Sequence, residues 1–413
     1  MALRLLHIAD VHLETPFFGE DEQVRSKLRQ AVRTSFSNAV QAAIDRSVHG
    51  LLIAGDLFDS DRLSFATERL LLEEAERLRA AGIAVYYATG NHDPGGANAR
   101  ILHLPWPENV HIFSGSTPRT VTLTDRRGEP LGRLTGAGHA RAGEATNLAG
   151  GFEPVDGELP HAGLVHAQVL SGTAPPEHEP YAPCTLEDLR AAGLDYWALG
   201  HVHRCQQVLD APPAWYAGNL QGRHPREAGP KGGFYLELGA GGLERHEFLS
   251  LAPLVWHRLE LCCSKEASTF HSIVEDLVSG IRRQLRLDEG RDHFIRLDLS
   301  GESPLADEIC ETKDNLRELT AAVQAEIDCS WMEIRPNRLV RPVDLEAHRG
   351  TASVLGEALD LLERLHRDDA ALQEVRPRAL ARRDIHNETA YLKELLQGAD
   401  RELASLLLPK QDD

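Results

Sequence analysis

No apolar run in this chain of 413 residues approaches the roughly 20 residues that a membrane-crossing helix needs. The apolar start, Leu3 to Ala9, is too short for the core of a secretory leader with a cleavage site. It reads instead as a first strand. Cysteine is sparse: there are six, irregularly spaced, with no CxxC pair. That excludes a cysteine zinc site and a disulfide framework, and fits reduced, mostly buried thiols in a cytoplasmic protein. Basic charge is in deficit, with 44 Lys and Arg against 63 Asp and Glu and a net charge of −19. A protein gripping nucleic acid with its whole surface is thereby excluded. A polyanionic substrate would need local basic patches, metal ions or a partner. Internal repeats and low-complexity tracts are also missing.

What the chain does have is an alternation of apolar runs and helical periodicity. Leu3–Ala9 is a strand, and Val24–Val48 a helix with Val24, Leu28, Val32, Phe36, Val40 and Ile44 on one face. Gly50–Ala54 is a strand buried on both faces, Phe65–Ala81 a helix stopped by Gly82, and Ile83–Ala88 a third strand. Strand, helix, strand, helix, strand predicts an α/β sheet with parallel strands. Short β runs follow at Val110–Phe113, Thr120–Thr124, Arg133–Gly138 and Gly163–His166. A capped helix, Leu186–Ala192, precedes the strand Tyr196–Leu199, and closing strands lie at Ala214–Gly218, Gly233–Glu237 and Leu243–Leu249. Beyond a boundary near residue 252 the pattern predicts a small α+β unit over 253–335. Its elements are strand 255–261, helix 267–287, strand 293–299, helix 305–327 and strand 330–334. Residues 336–413 read as a helical tail, with amphipathic helices at 351–366 and 384–408. Four arginines between Arg376 and Arg383 read as a solvated face.

The chemistry concentrates at strand ends. Five apolar strands each deliver metal-competent side chains at their carboxyl end: Asp10 and His12, Asp56, Asn91 and His92, His166, then His201 and His203. Residues two apart on an extended segment point the same way, so Asp10/His12 and His201/His203 can each serve one point. Turn chemistry explains one such polar loop cheaply, but not five. Ligands of open α/β sheets bind at this edge. Carboxylates, an amide oxygen and imidazoles suit manganese, iron or zinc, and the set is too large for one ion. Two ions about 3.5–4 Å apart, bridged by a carboxylate, are the arrangement that hydrolyses phosphate esters, and Asp56 is the natural bridge. Such ions neutralise phosphate charge and lower the pKa of a bound water. His92 is left to act on the phosphoryl or leaving oxygen, with Asp93 as the carboxylate that orients its imidazole.

In order, the pattern D-x-H, G-D, G-N-H-D, a lone H and G-H-x-H over residues 3–250 resembles the calcineurin-like metallophosphoesterase superfamily. Leu6–Leu13, Gly55–Asp59 and Phe294–Gly301 resemble its DNA repair exonucleases of the SbcD/YhaO type. The resemblance implies a metallophosphoesterase β-sandwich flanked by helices in residues 1–252, a capping domain that contacts DNA, and a partner-binding tail. It implies one metal on Asp10, His12, Asp56 and His203, another on Asp56, Asn91, His166 and His201, and His92 as catalytic histidine. It further implies manganese, hydrolysis of DNA 3′-to-5′ at duplex ends and endonucleolytically on single strands, a homodimer, and an SbcC/YhaN-type coiled-coil ABC ATPase as partner.

Some relatives carry histidine where this chain has Asp59, which reads equally as a partner of a metal ligand or as a turn residue. His139, Arg141, Arg204, Arg223, His224 and Arg226 lie in loops near the motifs, where phosphate contact and a structural role weigh equally. His7, His103, His111 and His257 read as structural. Two other functions stay open: a phosphodiesterase or phosphatase acting on a nucleotide or small phosphoester, and a catalytically silent scaffold of the same fold.

Overall fold

The computed structural model describes residues 2–17, 21–59, 63–97, 99–170, 180–375 and 388–408. By internal contact the chain divides into two compact units, Met1–His257 with Glu289–Phe294, and Arg258–Asp288 with Ile295–Asp413.

The first unit is a sandwich of two six-stranded sheets. Its first strands are β1 (Leu3–Ile8), β2 (Gly50–Ala54), β3 (Ala84–Ala88) and β4 (Val110–Phe113), which run parallel side by side. The helices between them are α1 (Glu22–Asp45) and α2 (Phe65–Ala80). The second sheet collects β5 (Arg119–Thr124), β6 (Pro130–Ala137) and β7 (His161–His166). After the short pair β8 (Val169–Leu170) and β9 (Cys184–Thr185) and helix α3 (Leu186–Ala191), it adds β10 (Tyr196–Gly200), β11 (Gln206–Asp210) and β12 (Pro213–Tyr216). Strands β13 (Gly232–Gly239) and β14 (Gly242–Ser250) return antiparallel to the edge of the first sheet, giving the orders β14-β13-β1-β2-β3-β4 and β11-β12-β10-β7-β6-β5.

Alternation along each strand sorts the core into layers. Leu52, Ala54 and Tyr86 of the first sheet pack against Leu134, Leu164 and Ala198 of the second. Their neighbours Leu51, Ile53 and Val85 face Phe36 of α1 and Leu71, Ala75 and Leu78 of α2. Every residue of β2 is buried, as expected for a parallel strand covered on both faces. On the far side of the second sheet, Val165, Trp197 and Leu199 pack with Leu148, Phe152 and Leu189. Helix α3 opens on the expected capping box, in which Thr185 and Asp188 exchange side-chain-to-backbone bonds.

The second unit carries most of a three-stranded sheet of β15 (Leu254–Cys263), β16 (Asp292–Glu302) and β17 (Trp331–Val340) in that order. Leu259, Leu261, Leu297 and Ile334 pack with Ile273, Leu277 and Ile281 of α4 (Phe270–Gln284). Three sequence expectations change here. The helix expected over 305–327 is two helices, α5 (Ala306–Glu311) and α6 (Lys313–Glu326), broken where an extended Thr312 caps the second through the Asn315 amide. The last strand does not stop before Pro336 but runs to Val340. It lies at the sheet edge, where a proline costs no ladder bond. Among the described residues the tail holds α7 (Val354–Arg367), α8 (Asp369–Glu374), α9 (Glu388–Leu395) and α10 (Ala399–Leu407). The single helix expected from 384 is thus interrupted at Gly398, whose φ is 79°. The arginines at 376–383 lie outside the described residues.

Leu164 is fully buried between the two sheets. Leu164→Ala should lower the stability of the first unit by about 2–5 kcal/mol, read as a shift of its transition in urea unfolding.

Candidate metal centre

The loops that follow β1, β2, β3, β7 and β10 meet at one edge of the sandwich. The first two are zipped together: the amides of Asp10, His12 and Leu13 donate to the carbonyls of Gly55, Asp56 and Leu57. Asp10, His12, Asp56 and His201 all take positive φ, at 48°, 53°, 49° and 106°. Their convergence therefore comes from tight left-handed turns and not from an extended strand. Non-glycine residues hold that conformation only where surrounding bonds impose it, and such residues gather at functional sites. Two glycines make room for the turns. A Cβ on Gly55 would fall 2.2 Å from the His166 ring, and one on Gly90 2.2 Å from the Asp56 carboxylate.

Three imidazoles are aimed inward by their Nδ1 atoms. His12 Nδ1 lies 2.6 Å from Asp59 Oδ1, His203 Nδ1 2.8 Å from Glu227 Oε1, and His166 Nδ1 2.9 Å from the Ala54 carbonyl. Each partner is an acceptor, so each Nδ1 carries a proton; His12 and His203 then present Nε2 as a lone pair, while His166 Nε2, facing Asn91 Oδ1 and Asp56, holds a second proton. Those lone pairs converge. His12 Nε2 and His203 Nε2 are 3.1 Å apart, and Asp10 Oδ1 is 3.9 Å from the first and 3.6 Å from the second. Asp56 Oδ2 stands 3.8 Å from His12 Nε2 and 3.4 Å from His166 Nε2, while Asn91 Oδ1 is 2.9 Å from His166 Nε2. Facing lone pairs and carboxylates repel unless a cation or proton lies among them, and the O/N donor mixture fits a divalent metal of the manganese, iron or zinc type. Among the described residues, three sets of candidate ligands lie close enough to hold an ion: Asp10, His12 and His203; His12, Asp56 and His92; and Asp10, Asp56 and His166. Two of the three contain Asp56.

The electrostatics follow from burial against neighbouring charge. Burial alone would push the Asp56 carboxyl up, but the imidazoles around it, His166 first, hold it well below the usual range. In return His166 is pushed up to about 9: burial opposes the proton, and the Asp56 carboxylate outweighs burial. Burial, then the Arg223 charge, lowers His12. Asp59 falls to about 2, because the hydrogen bond and charge of His12 exceed its desolvation. Any ion taking the His166 lone pair competes with that proton.

His201 stands beside this cluster. Its amide donates to both carboxylate oxygens of Asp10, at 3.2 and 3.1 Å, and its ring packs edge-on against His166 and Tyr181. His92 is the exposed member, with 44% of its side chain accessible, edge-on to His12, its amide donating to Asp56 Oδ1. The expected pairing of Asp93 with His92 gives way to another. The Asp93 carboxylate is buried and accepts from the amides of Gly90, Leu57 and Phe58 at 2.6, 2.5 and 3.2 Å. Burial and the nearby Asp56 charge push it up to about 6. The carboxylate that faces His92 is Asp59, 3.3 Å from Nδ1. Sequence adjacency suggested Asp93, but that side chain closes the turn it stands in. Glu227, which no motif marks, enters the site from 24 residues beyond His203.

Of the loop residues left open above, Arg223 reaches the site, 3.5 Å from Asp59 and 3.4 Å from Glu227. His224 lies 3.4 Å from Glu227. His139 is buried behind His166, with Nε2 2.8 Å from its carbonyl oxygen. Arg141 lies 3.8 Å from Glu144, and Arg204 and Arg226 are exposed.

Residues 3–205 match the family model of calcineurin-like phosphoesterases, and residues 256–334 match the middle domain of the metallophosphoesterase YhaO. The chain is 34% identical over 309 residues to the uncharacterised metallophosphoesterase YhaO of Bacillus subtilis (strain 168), spanning 73% of this chain and 72% of that one. It belongs to the calcineurin-like metallophosphoesterases. Within them it is of the YhaO type, and it shares ancestry with two archaeal proteins named DNA double-strand break repair protein Mre11. That of Methanopyrus kandleri is 27% identical over 267 residues, covering 60% of this chain and 57% of its own length. That of Aeropyrum pernix is 26% identical over 307 residues, covering 68% of each. As a metallophosphoesterase it is a hydrolase of phosphoesters, with candidate ligands for two divalent metals.

Asp93→Asn replaces one carboxylate oxygen by a donor facing a backbone N–H. It should cost about 1–3 kcal/mol of stability in urea unfolding. Unchanged stability would mean that the three amides do not depend on Asp93.

Proposed function

We propose that this metallophosphoesterase is a two-metal phosphodiesterase that cleaves DNA, 3′-to-5′ at duplex ends and endonucleolytically on single strands, with manganese as its metal. The observation that carries the reading is that Asp56 belongs to two of the three candidate ligand groups found among the described residues. Asp10, His12, Asp56 and His203 would hold one ion, and Asp56, Asn91, His166 and His201 would hold the other. Bound ions neutralise phosphate charge and supply a water acidified toward neutral pH. The chain's own groups do the rest. Asp56 keeps the two positions together. Asp59 holds the Nδ1 side of His92, which leaves Nε2 to carry a proton to the departing oxygen. DNA as substrate is supported by the kinship with the Mre11 proteins named for double-strand break repair.

The same reading takes residues 1–252 as catalytic domain, the α+β unit as a cap over DNA, and the helical region as the docking site for an SbcC/YhaN-type coiled-coil ABC ATPase. The described tail supports the last by its exposed apolar side chains, with Val354 70% and Leu406 80% accessible. A homodimer working in the cytoplasm completes the proposal. Among the described residues no helix is long and apolar enough to cross a membrane.

The net charge of −19 favours a second reading, hydrolysis of a nucleotide or other small phosphodiester, because it weakens unaided attraction to a polyanion. Linear duplex DNA, a cyclic nucleotide and a chromogenic diester, each with manganese, separate the two. Turnover of the duplex is expected, and turnover of the small esters alone would replace the DNA reading. In the same assay His92→Ala should lose at least about 100-fold in rate, the scale of one proton-transfer group, while retaining two ions per chain. Undiminished turnover would remove His92 from the mechanism.

A further inference from the structure

We infer that Glu227 is a positioning residue for the metal centre. It fixes the tautomer and aim of His203, and through Arg223 it is tied to the carboxylate that does the same for His12. The inference rests on the two-metal reading above.

Glu227 ends a single helical turn, Pro225–Glu227, and is buried with its carboxylate fully engaged. Oε1 faces His203 Nδ1 at 2.8 Å. Oε2 accepts from Asn219 Nδ2 and from the Arg223 amide, both at 2.8 Å. Arg223 Nη2 is also 3.2 Å from His203 Nδ1. A guanidinium has only donors, though, so the shorter carboxylate contact decides that Nδ1 bears the proton. The backbone of His203 is held by the same segment: its carbonyl accepts from the Asn219 amide at 3.3 Å and from Lys231 Nζ at 3.1 Å. His203 is thus clamped at ring and backbone by residues 219–231, and its Nε2 is left pointing at His12 and Asp10.

The strap continues. Arg223 spans from Glu227 to Asp59, at 3.4 and 3.5 Å. Asp59 in turn holds His12 Nδ1 at 2.6 Å and accepts from Thr15 Oγ1 at 2.5 Å. Two imidazoles from distant parts of the chain are therefore oriented by two carboxylates, and one guanidinium keeps those carboxylates from repelling each other. A carboxylate behind a ligating histidine selects its tautomer and raises its basicity, and losing such a partner weakens metal affinity by about 10–100-fold. With both guanidinium arms committed to carboxylates, Arg223 is part of the scaffold and not a free phosphate clamp.

Two measurements on the full-length protein test this. Histidine-selective ¹⁵N labelling of the metal-free chain reads the His203 tautomer, and calorimetric titration with manganese reads the two ions. Glu227→Ala should move His203 from the Nδ1–H form toward Nε2–H and weaken one of the two ions by about 10–100-fold, leaving the other within a factor of three. Glu227→Gln keeps an acceptor oxygen at Nδ1. It should keep the tautomer and lose less affinity than the alanine variant, a pattern that a merely structural glutamate would not give. An unchanged tautomer and two unchanged affinities in Glu227→Ala would overturn the inference. Should that variant not fold, a wild-type His203 found in the Nε2–H form would do so. A wild-type chain that binds no manganese while its His203 still responds to Glu227→Ala would count against the two-metal reading and for the contact itself.

Discussion

The centre depends on a concentration of lone pairs that the fold creates and only partly cancels, through the His166 proton beside Asp56. Asp10, Asp56, His12, His166 and His203 come within 4 Å of one another in pairs; His12 and His203 present unprotonated nitrogens, and His166 holds a proton that an entering ion would displace. Left alone, that cluster is repulsive and desolvated. The sandwich keeps it assembled because each group is also anchored from behind, by the Ala54 carbonyl, by Asp59, by Glu227 and by backbone amides. Hydrophobic layers on either side of β2 and β7 make those anchors rigid. Stability of the unit and readiness for a cation are thus two aspects of one arrangement.

Anchoring also separates residues that look alike in the sequence. Asp56, Asp59 and Asp93 are three buried or nearly buried aspartates within one turn of the site, each with a different task. Asp56 faces inward between the imidazoles. Asp59 faces sideways, to His12 and His92, and is strongly ionised. Asp93 faces back into the polypeptide, closing a turn through three amides. Hydrogen-bond partners, and not residue type, assign these tasks.

Much of this was legible in the sequence. Apolar runs ending in Asp, Asn or His marked five loops, and all five reach the same edge of the sandwich. The parallel start of the first sheet followed from strand–helix alternation, and the capping box of α3 from Thr185 and Asp188. Other features were hidden for definite reasons. Positive φ at Asp10, His12, Asp56 and His201 is imposed by tertiary bonds, since none of these is glycine. Thr312 reads as a helix interior until its side chain is seen to cap the next helix. Pro336 reads as a strand end unless the strand is known to lie at an edge. Glu227 belongs to no short motif, because its partner His203 is reached through the fold. Asp93 follows His92 directly, which invited a pairing that the turn geometry forbids.

The central claim is that two ions share Asp56, and electron paramagnetic resonance of the manganese-loaded chain tests it most directly. Two ions about 3.5–4 Å apart across one carboxylate are exchange-coupled. At two equivalents of manganese per chain the six-line signal of isolated ions should therefore be replaced by the broad spectrum of a coupled pair. A spectrum that remains that of isolated manganese at two bound equivalents would contradict a shared Asp56 and with it the proposed centre.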